Sequence, residues 1–218
     1  ATTCAPAMAS AKQTGGLEEL DDEIRAATGK SATLVPFDLV DGGGIDRLGG
    51  ALFERFGKVD VLVHAAAILG GLSPVAHFEP RDYAKVVAVN QTAVYRLIRS
   101  LDALLRASDS GRAIFLTSRR AREAKAFWAG YASTKAAAEM LVQCWADEVE
   151  HTPIRTVLLD PGAMNTRMRG EAYPGEDKAL LPDPSEIGPL VVELARGDRQ
   201  PPKGVVSFRA WEAENAAA

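Results

Sequence analysis

Short apolar runs alternate with longer segments of helical periodicity along almost the whole chain, and this alternation most constrains the fold. The apolar runs predict strands over residues 32–37, 59–63, 113–116, 155–159 and 204–208. The amphipathic segments between them predict helices, of which 80–106 and 131–149 are the longest. Strand and helix in alternation indicate a parallel sheet covered by helices on both faces. We therefore predict a single-domain, doubly wound α/β fold with a mostly parallel sheet and three layers, α/β/α.

The length and the charge of the chain set its broad class. Its 218 residues suit one domain with a full hydrophobic core. Residues 1–14 show neither alternation nor helical spacing, so we expect an atypical N-terminal segment there, the domain over residues 15–210 and a C-terminal tail over residues 211–218. The net charge of −4 argues against nucleic-acid binding, which requires a basic face.

The sequence indicates neither a membrane nor an oxidising compartment. No apolar run reaches the ~20 residues that span a bilayer, and the start of the chain lacks the basic and apolar regions of a signal peptide. Cys4 and Cys144 stand far apart without the spacing of metal ligands, so we expect free thiols and no metal site. These features predict a cytoplasmic protein.

The stretch from residue 113 to residue 140 carries the clearest chemical signal. Tyr131 and Lys135 are four residues apart on a predicted helix, so their side chains share one face. Ser118 comes just after the buried strand 113–116, where a loop can turn its hydroxyl toward the same point. A nearby ammonium lowers the pKa of a phenol, so Tyr131 is expected to exchange a proton near neutral pH while Ser118 holds the substrate oxygen. The trio suits proton transfer coupled to hydride transfer.

In order and in spacing, these residues resemble those of the short-chain dehydrogenase/reductase family. The resemblance covers most of the chain from about residue 15 to residue 208. It rests on residues spread over that range, namely Asp38-Leu39, Asn90, Ser118, Tyr131, Lys135, Pro161-Gly162 and Thr166. It implies a Rossmann-like fold, NAD or NADP as cofactor with NADP preferred, and a small carbonyl compound or secondary alcohol as substrate. It also implies a homodimer or homotetramer, paired through the helices near 83–106 and 131–149.

The resemblance assigns one group of residues to the adenosine end of the cofactor. Asp38, followed by Leu39, would accept a hydrogen bond from the adenine amino group. Ala65, Ala66 and Ala67 would pass the adenosine where the fourth strand of the family ends. In sheets of this kind, ligands bind at the carboxyl ends of the strands, and both segments follow a predicted strand.

A second group is assigned to the nicotinamide end and to the proton relay. The turn Pro161-Gly162 would pass the nicotinamide ring, and Thr166 would bond its carboxamide. Lys135 would bond the hydroxyls of the nicotinamide ribose. Asn90 would orient a water behind this lysine. A buried asparagine that only satisfies its surroundings is the alternative for Asn90, and the two roles are compatible.

Two stretches depart from the family pattern. The glycine-rich turn of the family, T-G-x-x-x-G-x-G, holds the cofactor pyrophosphate on backbone N–H groups and does not occur in the printed sequence. Residues 1–10 stand where the second strand of the family is expected, but they do not resemble a strand. The Asn-Asn-Ala-Gly of the family is replaced by His64 and three alanines. His64 has no partner at triad or metal spacing, so we expect a structural role for it.

The sequence leaves two functions open. The first is an NAD(P)-dependent oxidoreductase that interconverts carbonyls and secondary alcohols, with Tyr131 as the acid/base. The second is a non-catalytic binding or scaffold protein that has kept the fold and lost the cofactor. The missing glycine-rich turn favours the second function. The presence of Ser118, Tyr131, Lys135 and Asn90 together favours the first, because a scaffold has no need of all four.

Overall fold

The computed structural model describes residues 7–12, 14–197 and 204–216. Within these ranges the strands are β1 (Met8–Ala11), β2 (Thr33–Pro36), β3 (Val61–His64), β4 (Arg112–Leu116), β5 (Arg155–Asp160) and β6 (Val205–Ser207). The helices are α1 (Thr14–Thr28), α2 (Gly42–Phe56), α3 (Pro80–Val87), α4 (Ala93–Arg106), α5 (Ala129–Glu148), α6 (Arg167–Ala172), α7 (Gly188–Arg196) and α8 (Phe208–Ala216). The predicted alternation of strand and helix is present.

All strand pairs are parallel, and they form two sheets. β1 pairs with β2, with Met8 opposite Thr33 and Ala11 opposite Pro36. The second sheet has the order β3-β4-β5-β6. In a doubly wound sheet of order 3-2-1-4-5-6, these two sheets correspond to the parts on either side of the first strand. β1 and β3 are therefore the edges beside which the first strand of the family would lie.

Side-chain alternation along β4 and β5 defines the three layers. Phe115 and Leu158 belong to a core that also contains side chains of α2, α4 and α5. Their neighbours Ile114 and Leu159 belong to a second core with side chains of α7 and α8. Because successive residues of a strand point to opposite faces, the four-stranded sheet is covered by helices on both sides, as predicted.

Local sequence sets the ends and the packing of α2. Asp41 caps its N-terminus, because the carboxylate accepts a hydrogen bond from the Gly44 N–H at 3.0 Å. Gly57 ends the helix in the left-handed conformation, at φ 70°. Gly49 permits close approach of α4, since a Cβ at this position would lie 2.8 Å from the carbonyl oxygen of Ser100.

The predicted helix 80–106 is α3 and α4 together, joined without a break by a π-helical turn over Ala88–Thr92. The turn is centred on Asn90, which is 1 % exposed. Single π turns within α-helices occur frequently at functional sites. The turn therefore marks Asn90 as a residue with a special environment.

The structure differs from the sequence expectation at both ends of the domain. Residues 8–11 form β1, because a parallel register with β2 supplies backbone hydrogen bonds that these small side chains do not signal. The expected tail contains most of α8. Trp211 stacks on Phe208 with ring centroids 5.8 Å apart, and its indole donates to Glu193 at 3.0 Å. Both segments pack as parts of the domain.

The longest described helix is α5, with 20 residues. Of the helices in the described ranges, none is both long and apolar enough to cross a membrane. Cys144 on α5 is an exposed free thiol, and Cys4 lies outside the described residues.

Candidate active site

Tyr131 and Ser118 meet at the carboxyl end of β4, as their spacing predicts. Tyr131 lies in the first turn of α5 and is 8 % exposed. Trp128 packs edge-on against its ring, with centroids 5.9 Å apart. Ser118 lies near enough to the phenol to lower its pKa, and the Ser118 hydroxyl accepts from the Arg120 N–H at 3.2 Å. A hydroxyl and a phenol therefore share one small, mostly buried volume.

Burial raises the pKa of the Tyr131 phenol above its ordinary value. The nearby Ser118 side chain opposes this rise, and the negative charge of Asp160 adds to it. The expected lowering of the phenol pKa by Lys135 is not found. The ammonium instead donates to the carbonyl oxygen of Leu116, with Nζ and O 2.7 Å apart. Tyr131 is consequently a protonated phenol at neutral pH, which is the form that gives a proton to a substrate.

Lys135 is itself strongly affected by its surroundings. The residue is 6 % exposed, and burial lowers the pKa of its ammonium to about 8, although the negative charges of Glu139 and Asp160 favour the charged form. A lysine whose pKa lies near the working pH changes charge in response to small changes in its environment. This marks Lys135 as a functional-site candidate on physical grounds.

The buried ammonium of Lys135 is expected to make folding stability depend on pH in alkaline solution. The unfolded chain keeps this proton up to the ordinary lysine pKa of 10.5, whereas the folded protein releases it near pH 8. The unfolded state therefore binds more protons in this window, and the free energy of unfolding should rise with pH. Urea denaturation of the wild type and of Lys135→Met at about pH 7 and about pH 9.5 measures this. An equal change in the free energy of unfolding of the two proteins between these pH values would contradict the prediction.

Asn90 clamps the loop after β3 to helix α5. Its side-chain oxygen accepts from the Ile68 N–H at 2.9 Å, and its amide nitrogen donates to the Ile68 carbonyl oxygen at 2.9 Å. The same nitrogen donates to Thr134 Oγ1 at 3.2 Å. The partners are thus the loop backbone and α5, one residue before Lys135. A role for Asn90 in orienting a water behind Lys135 stays a prediction.

The residues assigned to the adenosine end lie at the carboxyl ends of β2 and β3. Asp38 forms an ion pair with Lys12, with Nζ and Oδ2 2.6 Å apart. The hydrogen bond from Lys12 holds the pKa of this carboxyl below its ordinary value. Leu39 is half-buried against the core of α2, α4 and α5. Ala65 and Ala66 are exposed. The third alanine of this segment, Ala67, packs near Tyr131.

The residues assigned to the nicotinamide end follow β5. Gly162 has a φ of 73°, a left-handed conformation that favours glycine, and its N–H donates to Asp160 Oδ1 at 3.0 Å. The neighbouring Pro161 is half-buried. The Thr166 hydroxyl caps α6 by accepting from the Arg169 N–H at 3.1 Å. The turn after β5 and the exposed alanines after β3 present only small side chains and backbone. The residues present therefore fit both the nicotinamide end and the adenosine end of a dinucleotide.

Glu139 is a site residue that the sequence reasoning missed. It is 5 % exposed, and its carboxylate accepts hydrogen bonds from Thr117 Oγ1 and from the guanidinium of Arg122. Arg122 also donates to Asp160 Oδ2 at 2.8 Å. The helical spacing contained a usable signal, because Glu139 follows Lys135 by four residues and shares its face. Arg122 thus links the loop after β4 to α5 and β5.

Tyr173 is the second missed residue. Its ring lies 5.8 Å from that of Trp128, and its hydroxyl accepts from Lys125 Nζ at 2.7 Å. The guanidinium of Arg169 lies 3.9 Å from the centre of the ring. Burial tends to raise the pKa of Tyr173, but the hydrogen bond from Lys125 and the nearby cations lower it overall. Tyr173 closes the aromatic cluster over Tyr131 from the α6 side.

Comparison with known proteins identifies the family. A sequence profile of the short chain dehydrogenase family matches residues 4–177, so the chain belongs to this family. The Escherichia coli oxidoreductase YciK is 30 % identical over 191 residues, which are 87 % of this chain and 75 % of that protein. The 2,3-dihydro-2,3-dihydroxybenzoate dehydrogenase of Bacillus subtilis is 29 % identical over 164 residues, 75 % of this chain and 62 % of that protein.

Solved structures agree with the family and with the fold. A short chain dehydrogenase from Salmonella enterica superposes with a TM-score of 0.85 at 26 % identity, covering 91 % of this chain and 83 % of that chain. A putative short chain dehydrogenase from Shigella flexneri, crystallised with NADP, gives a TM-score of 0.81 at 29 % identity, covering 85 % and 78 %. The predicted family and the predicted Rossmann-like fold are confirmed. The chain accordingly belongs to the NAD(P)-dependent dehydrogenases and reductases in general.

Proposed function

We propose that the chain is an NADP-dependent oxidoreductase that interconverts a small carbonyl compound and its secondary alcohol, with Tyr131 as the acid/base. The observation that carries this proposal is the buried Tyr131 phenol with the Ser118 side chain beside it. Lys135 and Asn90 lie around the same helix start. The proposed compartment remains the cytoplasm.

In the direction of carbonyl reduction, the chain supplies the proton. Ser118 holds the substrate oxygen, and the protonated phenol of Tyr131 gives its proton to that oxygen as negative charge develops there. The phenol enters this direction already protonated, although the burial that raises its pKa also makes it a weaker acid. In the reverse direction, the phenolate is needed. It would be favoured if the Lys135 ammonium turned from the Leu116 carbonyl toward the phenol.

A bound nicotinamide cofactor would supply the hydride donor or acceptor. Asp38 would hold its adenosine end, where Ala65 and Ala66 leave room. Gly162 and Thr166 would line its nicotinamide end, and Lys135 is proposed to bond its ribose. These assignments follow the family resemblance, and they agree with the position of Asp38, Ala65, Ala66 and Gly162 after parallel strands, where ligands bind in such sheets.

We expect saturable binding of NADPH, in about the micromolar range, and weaker binding of NADH. Lys12 places a positive charge at the carboxyl end of β1, which suits the additional phosphate of NADP. Two structural neighbours were crystallised with NADP or NADPH. Titration followed by nicotinamide fluorescence measures both affinities. Lys12→Ala should weaken NADPH binding about tenfold, whereas Lys58→Ala, a surface control, should not change it.

The alternative is a non-catalytic protein that has kept the fold and lost the cofactor. The observation in its favour is that His64 and three alanines stand where the family pattern has Asn-Asn-Ala-Gly. Failure of the folded protein to bind either NADPH or NADH would favour this alternative. Tight binding of either cofactor would contradict it.

We further propose that the protein pairs with itself through α3, α4 and α5. Exposed apolar side chains stand on these helices, with Tyr95 50 % and Met140 58 % exposed. Met140→Asp would place a charge in this interface, and burying an unpaired charge is costly. We expect association at least about tenfold weaker, measured by light scattering after size exclusion. Val192→Asp, at an exposed position of α7 outside the proposed interface, is the matched control and should not weaken association. A monomeric wild type would contradict the proposal.

A further inference from the structure

A small cavity lies behind Lys135, between the four-stranded sheet and helices α4 and α5. The space open to the centre of a water molecule is about 10 Å³, roughly what one buried water requires. Much of the wall is apolar, but His64, Thr117, Lys135 and Glu139 bring polar atoms to it. Cavities with several polar partners hold water, whereas purely apolar ones stay dry.

His64 brings an unsatisfied nitrogen to this cavity. The residue is 7 % exposed, and its ring packs against Phe115 with centroids 5.8 Å apart. Among the described residues, His64 Nε2 has no hydrogen-bond partner although it is fully buried. Burial and the positive charge of Lys135 lower the pKa of the imidazole to about 4. The ring is therefore neutral at physiological pH, and one of its nitrogens can accept a hydrogen bond.

Lys135 brings unused donors to the same cavity. An ammonium has three N–H donors, and Leu116 O is the one acceptor that the described residues give to Lys135 Nζ. No hydrogen bond or ion pair joins Lys135 Nζ to Glu139 among the described residues; Glu139 Oε1 instead accepts from Thr117 and from Arg122. The cavity is therefore lined by one residue with an unpaired acceptor and by another with unused donors.

We propose that a single water in this cavity accepts a hydrogen bond from Lys135 Nζ and donates one to His64 Nε2. His64 then acts as a positioning residue that supports the charged form and the orientation of Lys135 from the sheet side. Histidine stands where the family pattern has asparagine, so the arrangement is a property of this chain. The consequence for catalysis rests on the proposed function, whereas the water site itself does not.

Every charged or titratable group near the ammonium enters the expected titration. His64 lies near it on β3, Tyr131 and Glu139 lie on the same face of α5, and Asp160 lies at the end of β5, while Arg122 neutralises part of both carboxylates. The carboxylates favour the charged ammonium, and burial disfavours it. A water held by His64 adds a hydrogen-bond acceptor, so its loss should release the Lys135 proton at lower pH.

The experiment is an NMR titration of ¹³C-labelled lysine in the ligand-free protein, with Lys135→Met to assign the signal. In His64→Leu we expect the acid-dissociation constant of Lys135 to increase about tenfold. In His64→Gln, whose side-chain oxygen can accept from the same water, we expect a value close to that of the wild type. Val94→Ala changes the wall of the cavity without removing a polar atom and should leave the titration of Lys135 unchanged.

Three outcomes would overturn the proposal. The first is a Lys135 pKa in His64→Leu that equals that of the wild type. The second is a Lys135 pKa that falls equally in His64→Gln and in His64→Leu. The third is a Lys135 pKa that falls as far in Val94→Ala as in His64→Leu. A second readout is the pH profile of turnover, in which the alkaline limb of His64→Leu should move to lower pH and that of His64→Gln should not. The expected NMR result in a protein without turnover would support the water site and refute the proposed function. Normal turnover combined with an unchanged Lys135 titration in His64→Leu would support the proposed function and refute the water site.

Discussion

Replacing Tyr131 by phenylalanine is expected to lower turnover by about 10²–10⁴-fold while leaving the fold and cofactor affinity intact. The substitution removes only the hydroxyl, which lies near Ser118. The ring keeps its edge contact with Trp128 and remains within the same cluster of buried side chains. Initial rates with NADPH across a panel of aldehydes and ketones measure the loss, and nicotinamide fluorescence checks that the variant still binds the cofactor.

Tyr173→Phe is the matched control, because it removes the other phenol of the aromatic cluster. The nearby cations lower the pKa of Tyr173, which makes it the rival candidate for acid/base chemistry. We expect this variant to keep most of the turnover. Full turnover in Tyr131→Phe would refute the proposed mechanism, and loss of turnover only in Tyr173→Phe would transfer the acid/base role to Tyr173.

Asn90→Ala is expected to lower the free energy of unfolding by about 3 kcal/mol, because it leaves buried polar groups without partners. Both the N–H and the carbonyl of Ile68 lose their hydrogen bonds to this side chain, and Thr134 loses a donor. Turnover should fall as well, since the clamp fixes the start of α5. Urea denaturation of the purified variant measures the free energy of unfolding independently of activity.

Asn165→Ala provides the corresponding control, since Asn165 is exposed and its substitution should change the free energy of unfolding by no more than about 0.5 kcal/mol. A loss in Asn90→Ala no larger than that of the control would contradict the clamp. Normal stability combined with lost turnover would leave Asn90 with a purely catalytic role.

Periodicity predicted most of the fold, because each buried strand and each amphipathic helix carries its own pattern. The segment Met8–Ala11 has no such pattern, and it becomes β1 only because Thr33–Pro36 offers backbone groups in register. A partner strand distant in sequence cannot be read from four small residues. The same holds for Trp211, whose role depends on packing against Phe208 and Glu193.

Spacing predicted which residues gather at the site but not how they are connected. The contact between Tyr131 and Ser118 follows from a strand end and a helix start. The orientation of the Lys135 side chain cannot be predicted in this way. Its acceptor is the backbone carbonyl of Leu116, and every residue type has such a carbonyl. Arg122 and Tyr173 lie outside long regular elements, where the sequence has no period to fix their side chains.

Within the described residues, β1, α1 and β2 form a supersecondary unit of their own. Among the described residues, β1 and β2 pair only with each other. Their unit meets the rest of the protein largely where α2 packs on α4, for example through the Asp46–Arg96 ion pair at 2.9 Å. Cooperative opening units often coincide with such supersecondary motifs. Lys12 and Asp38 belong to this unit, whereas Tyr131 and Lys135 belong to the larger sheet. Local opening of this unit would therefore disrupt the adenosine end of the site while the proton-transfer residues stay assembled.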